Sequence, residues 1–296
     1  MDLSIIIVSW KVKDRLRENL TALFASFRPL RLSASEARAI SFEVFVVDNN
    51  SADGTVEMVN QEFPQVTLIA NQENAGFAKA NNQAIKLAKG NFILLLNPDM
   101  KIYPDSLVKM IEWMRTNPQA SLAGCHLIDE KGETIKHVRR FPTIWNQLAI
   151  ILKLPHLLPK ILDHYIISDF DYQKAAKVDS IRGGFFLICK ETIQKVGLLD
   201  ERFFVWFEEV DYCRQIQQVN GQVWYVAEAQ CLDQVGQSFQ QVKTIISQRY
   251  FRNSMIKYFQ KWQPARQAKI LQLAWFIVWP FMCLISLLGW KGRAKT

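Results

Sequence analysis

Carboxylates and amides gather at three places in this chain, each directly after an apolar run. The first is Asp48-Asn49-Asn50-Ser51-Ala52-Asp53-Gly54, following VFVV. Side chains of these types cap the helix that comes next, and they equally hydrogen-bond a nucleobase and a ribose. The second is Asn97-Pro98-Asp99, following FILLL. A carboxylate closing a buried strand is either a turn and helix cap or a ligand for a hard cation that bridges two phosphates, such as Mg²⁺ or Mn²⁺. The third is Trp206-Phe207-Glu208-Glu209-Val210-Asp211, with three carboxylates in four residues. Like charges this close raise the pKa of at least one member, which suits a general base near neutral pH. An acidic first turn also favours a helix through its dipole.

These clusters need elements that hold them together at one edge. Leu3–Ser9 is a continuous β-branched run, hence a strand buried on both faces. Helical spacing over Asp14–Phe27, a polar insertion over Arg28–Ile40, a strand at Phe42–Val47, a helix at Asp53–Phe63, a strand at Val66–Ala70, a helix at Gly76–Lys89, a strand at Phe92–Leu96 and a helix at Pro104–Asn117 follow in turn. Strand–helix–strand repetition predicts an α/β fold, a mostly parallel sheet with helices on both faces. Ligands of such sheets sit at the carboxyl ends of the strands, where the polar clusters fall. Short strands and a turn are expected over Ala120–Ile135, and a strand over Val178–Cys189 interrupted at Gly183-Gly184. A helix at Glu191–Val196, a helix at Asp211–Asn220 and a strand at Val223–Ala227 complete the body. Phe141–Tyr172 is rich in Leu, Ile and Pro with helical spacing, compatible with a lid, an acceptor surface, a membrane-touching helix or a plain packed pair.

Charge separates the body from the tail. The 296 residues carry a net +8, yet Phe239–Thr296 holds ten Lys or Arg and no Asp or Glu, leaving the remainder slightly acidic. A basic tail suits anionic lipid or nucleic acid. Ile270–Trp290 is uncharged and just long enough to cross a bilayer, with Pro280 near its middle; a half-inserted helix and a buried core helix are the alternatives. That apolar span bordered by basic residues favours a membrane surface over nucleic acid. The five cysteines are dispersed and the four histidines lack zinc spacing, which fits a reducing compartment and argues against a structural zinc site. The N-terminus lacks the basic region of a signal peptide and reads as the first strand.

In order and spacing, SIIIVSW, VVDNNSADGT, NQENAGFAKANNQAI, LLLNPD, RGGFFLI, GLLDERFFVWFEEVDYCRQI and, more loosely, VGQSF resemble family 2 glycosyltransferases of the GT-A fold, and most closely their bacterial rhamnosyltransferase-like branch. The resemblance runs from about Leu3 to Phe239. It implies a Rossmann-like GT-A domain over 1–240, with a nucleotide-sugar half at 1–125 and an acceptor and catalytic half at 126–240. A basic helical tail over 241–296 follows, carrying the apolar membrane segment 270–290. It implies that Trp10, Asp48, Asn49, Asp53, Asn74, Gly76, Asn81 and Asn97 serve the nucleotide sugar, and that Gly183, Gly184 and Trp206 form the loop where donor and acceptor meet. Glu209 would be the catalytic base, beside Glu208, with Asp211 as an orienting or alternative base. Asp99 would hold Mg²⁺ or Mn²⁺. Two departures stand out: Asn97 replaces the first aspartate of D-x-D, and Asp233 stands where the family often has a histidine metal ligand. The implied reaction is inverting transfer from a dTDP- or UDP-type donor to a glycan or lipid-linked acceptor, at the cytoplasmic face of the plasma membrane. A catalytically inactive sugar-binding scaffold at the membrane is the alternative.

Overall fold

The computed structural model describes residues 1–27, 40–234 and 244–287. In chain order its elements are β1 (Leu3–Ser9), α1 (Lys13–Ser26), β2 (Phe42–Asp48), α2 (Thr55–Glu62), β3 (Thr67–Ala70), α3 (Phe77–Ile85), β4 (Phe92–Leu96), β5 (Met100–Ile102), α4 (Ser106–Thr116) and β6 (Ala120–Ile128). Then come β7 (Val138–Arg139), α5 (Ile144–Ile151), two 3₁₀ turns (Leu154–His156 and Pro159–Leu162), α6 (Asp163–Ile166), β8 (Ala176–Val178), β9 (Ser180–Ile181) and β10 (Phe185–Cys189). The chain continues through α7 (Lys190–Val196), α8 (Glu208–Gln218), β11 (Gln222–Asp233), α9 (Thr244–Trp262) and α10 (Ala265–Leu287). Most of the polar insertion, the VGQSF stretch and residues 288–290 of the apolar segment lie outside the described residues.

The apolar runs become central strands because both of their faces are covered. Leu3, Ile5 and Ile7 join Leu94 and Leu96 in a core under α1, α2 and α4. Ile6, Ile93 and Leu95 point the other way, into a core with α3 and α8. The main sheet has the order β3-β2-β1-β4-β10-β6-β11-β5, with β8 also on β11. The expectation of a mostly parallel sheet needs correction. The four N-terminal strands are parallel, but β10 runs antiparallel to both β4 and β6, and β5 and β8 run antiparallel to β11. The chain reaches β10 through β8 and β9 at the end where β4 finishes, so Phe185 starts opposite Leu96 and the pair runs antiparallel.

Two element boundaries also shift. The helix expected from Asp211 begins at Glu208, so all three acidic residues occupy its first turn. β11 extends to Asp233, passing a register shift between Val226 and Gln230. Among the described residues no helix is long and apolar enough to cross a membrane. α10 instead runs through Pro280 and spends one face on a third core, where Ala268, Leu271 and Trp275 pack with Met255, Tyr258 and Phe259 of α9, with Ile151 of α5, and with Phe203 and Phe207. Its other face is open, with Phe276 at 78% and Phe281 at 64% exposure.

Candidate active site

The carboxyl ends of β1, β2 and β4 open into one cavity of about 710 Å³. The turn after β2 is built by its own side chains. Both oxygens of Asp48 are taken by Ser51, whose amide lies at 3.0 Å, and the Ser51 hydroxyl in turn accepts the Lys11 amide at 2.9 Å. Asp53 accepts the Thr55 amide and hydroxyl and the Lys13 amide. These two aspartates therefore brace the loop, and neither lines the cavity. Asn49 does: it donates to the Gly76 carbonyl at 3.2 Å and accepts from Asn71. Asn74 accepts the Gly76 amide at 3.0 Å and also lines it. Asn81 bonds to Phe77 within its own helix and stands off the wall.

Gly76 is required by space as well as by angle. Its φ is +81°, and a Cβ there would sit 2.5 Å from the Phe204 carbonyl. The same carbonyl accepts the Phe77 amide at 2.7 Å, so the loop before α3 is tied to the loop that precedes the acidic cluster.

The turn after β4 is clamped from below. Asn19 donates to the carbonyls of Asn97 and Met100, at 3.1 and 2.7 Å, and the Asn97 amide donates to Gly184. Asn97, Pro98 and Asp99 line the cavity. Pairing of β5 with β11 sets Asp233 opposite Met100 and so beside Asp99. Asp233 is 1% exposed and lies off the wall. Burial pushes its carboxyl up to about 6, with Arg182 opposing the shift and Asp99 adding to it.

Glu208 and Glu209 reach the opposite wall from the first turn of α8. Two consecutive left-handed residues, Trp206 (φ 64°) and Phe207 (φ 68°), turn the chain into that helix. Such conformations cost about 1–3 kcal/mol each and survive only where the surroundings enforce them. Phe207 is held in the third core, and Trp206 lines the cavity. Burial raises Glu208 well above the usual carboxylate range, and the neighbouring Glu209 raises it further. Burial also raises Glu209, with Arg182 partly offsetting it. Gly183 allows the close approach: a Cβ there would meet the Glu209 Cβ at 3.3 Å.

Asp211 does not share this wall. It is fully buried, and its oxygens accept from Lys261 Nζ at 2.8 Å, Trp262 Nε1 at 2.6 Å and Gln215 Nε2 at 2.6 Å. The geometry makes it an anchor between α8 and α9 in place of an alternative base.

Among the wall residues to which the sequence reading gave no role, three stand out. Arg182 lines the cavity and pairs with Asp233 at 2.8 Å; a lone Arg before two glycines carries no diagnostic spacing. Ile246 and Tyr250 of α9 close the remaining side, with Tyr250 stacked on Phe204 at 4.5 Å. Nothing in a basic tail marks them as cavity residues. Among the described residues no group of three or more His, Cys, Asp or Glu could cage a metal. Of the two expected ligands, Asp99 lines the cavity while Asp233 is sealed behind it against Arg182, so the cavity offers one carboxylate to an ion shared with substrate phosphates and no protein-only cage.

Residues 4–176 match the family model described as glycosyl transferase family 2. The chain is 24% identical over 212 residues to the N-acetylglucosaminyl-diphospho-decaprenol L-rhamnosyltransferase of Mycobacterium tuberculosis, covering 68% of each chain. It is 26% identical over 159 residues to rhamnosyltransferase WbbL of Escherichia coli, covering 51% of this chain and 58% of that one. The fold is shared with the mannosyltransferase PcManGT of Pyrobaculum calidifontis, solved with GDP-Man and Mn²⁺. That match has a TM-score of 0.58 and 17% identity over 92% of this chain and 68% of the other.

Proposed function

The chain belongs to glycosyl transferase family 2, and on that premise we propose that it is an inverting enzyme of cell-surface glycan synthesis. It takes a hexose or deoxyhexose such as rhamnose from a dTDP- or UDP-type donor and passes it to a glycan or lipid-linked acceptor. One observation carries this reading: a single cavity brings the Asn49–Gly76 loop and the Asp99 turn together with a pKa-raised glutamate pair on the facing helix.

The nucleoside lies against Trp10, Asn49 and Asn74, and the diphosphate lies toward Asp99. Glu209 takes the proton of the acceptor hydroxyl as that oxygen attacks the anomeric carbon, opposite the leaving diphosphate. Burial and the neighbouring Glu209 raise Glu208 well above the usual carboxylate range, and Glu209 is raised less, which makes Glu209 the readier proton acceptor of the pair. Gly183 keeps the backbone close to Glu209, and Trp206 lines the cavity beside that pair. Asp99, with Asp233 behind it, would hold Mg²⁺ or Mn²⁺, which when bound offsets charge on the leaving diphosphate.

The enzyme works at the cytoplasmic face of the plasma membrane. The open apolar face of α10, Leu273, Phe276, Ile277 and Phe281, beside a tail without acidic residues, supports docking on anionic lipid.

Donor turnover measured over a panel of nucleotide sugars, comparing wild type with Glu209→Gln, tests the reaction. The variant is expected to lose about 10²–10⁴-fold in kcat with the fold intact. Equal turnover by the variant removes Glu209 as base. No turnover by wild type with any donor leaves the inactive sugar-binding scaffold.

A further inference from the structure

A nucleoside diphosphate brings two or three negative charges into a cavity that already carries Asp99, Glu208 and Glu209. Among the described lining residues one cation faces them, Arg182. Its place is unusual for a purely structural ion pair. Asp233, its partner, is almost completely buried, whereas the arginine side chain keeps 32% of its surface open. The two groups approach to 2.8 Å, yet among the described residues neither Asp233 oxygen receives an aligned hydrogen bond. Among the described residues the guanidinium donates no hydrogen bond at all, although it carries five donors in a planar fork that matches phosphate oxygens.

We propose that Arg182 binds the diphosphate of the donor, with buried Asp233 as the counter-charge that holds it at the cavity wall. This rests on the nucleotide-sugar reading above and deepens it. The arginine stands on the Asp99 side through Asp233, and on the base side through the adjoining Gly183. It therefore spans the gap between the diphosphate's seat and the attacking hydroxyl. A fixed guanidinium at that point stabilises charge on the leaving group as the sugar departs. It also explains how a chain with asparagine at the first D-x-D position and aspartate in place of histidine still presents positive charge to phosphate. The consequence is that diphosphate binding is only partly metal-dependent.

Titration calorimetry of the full chain with UDP and dTDP, in EDTA and in Mn²⁺, tests this, with uridine and thymidine as controls. Wild type is expected to bind the diphosphates in EDTA. Arg182→Gln should weaken that binding about tenfold or more, leave nucleoside binding unchanged, and be partly rescued by Arg182→Lys, which returns the charge without the fork. The double variant Arg182→Gln/Asp233→Asn keeps the buried site neutral and should show the same loss where the single variant does not fold. Diphosphate binding in EDTA that is equal in wild type and either glutamine variant overturns the proposal. Binding by wild type only with Mn²⁺ also overturns it, while leaving the donor reading standing. No diphosphate binding under either condition overturns both.

Discussion

Replacing Lys261 by methionine should reach the active site from a distance. Lys261 Nζ lies 2.8 Å from Asp211 Oδ2 and 3.0 Å from Asp200 Oδ2. Asp211 is fully buried on α8, the helix that carries Glu208 and Glu209, so losing the ammonium leaves a carboxylate there with only the neutral donors Trp262 and Gln215. Breaking a buried pair from one side costs about 3–5 kcal/mol, and the two surviving hydrogen bonds place this case at the lower end, about 3 kcal/mol. Asp200 adds little, because Arg202 still holds it. At about 2 °C per kcal/mol for a chain of this size, Tm should fall by roughly 6 °C. Because Asp211 lies two residues beyond Glu209, kcat should fall as well, by more than the unfolded fraction at assay temperature explains. The double variant Lys261→Met/Asp211→Asn removes the stranded charge and should lose no more than the single one. Differential scanning calorimetry and donor turnover on these two variants and on Asp211→Asn decide it. A Tm loss below about 2 °C in Lys261→Met, or a double variant that loses the sum of both single effects, would refute the reasoning.

Other outcomes follow from the same geometry. Burial raises Glu209, and a base must be ionised, so activity should be present at neutral pH and be lost as pH falls through a value above that of an ordinary glutamate. Arg182→Gln removes the opposing cation and should move that acid limb higher; a pH–rate profile whose limb stays put or moves lower contradicts this. Gly76→Ala forces a side chain into a glycine-only backbone region and against the Phe204 carbonyl. It should cost at least about 1–3 kcal/mol in urea unfolding, and a midpoint equal to wild type refutes the stated contact. Phe276→Glu with Phe281→Glu, both on the open face of α10, should cut sedimentation with phosphatidylglycerol vesicles several-fold without changing Tm; undiminished sedimentation rules that face out.

Some of this architecture could be read directly from side-chain types. β1 and β4 match their expected spans because strands buried on both faces leave an unbroken apolar run. β11 was cut short in the reading because Glu228 and Gln230 break that pattern where the register shifts. The antiparallel β10 was not legible, since pairing direction depends on where the chain re-enters and not on local composition. The site was legible as clusters and less so as roles. Asp48 and Asp53 have the same residue types whether they bind a ribose or brace a turn, and only their hydrogen bonds to Ser51, Thr55 and Lys13 separate the two. Arg182 and Tyr250 were missed because each meets the cavity through long-range packing.

The central position of β10 also bears on how the chain is made. β4 and β6 do not pair with each other; β10 stands between them, and β6 is otherwise joined only to β11. During synthesis the first four strands can assemble, but the free edge of β4 stays open until residues 185–189 emerge, and β6 has no partner before then. An open apolar edge is a template for pairing with other chains. The first half is therefore not a self-sufficient folding unit: a fragment ending near Ile128 would expose both strands, and expression of that half alone should yield aggregate. Assembly of the sheet waits for the segment that also delivers Arg182, Gly183 and Gly184, so the central pairing and the cavity wall are completed together.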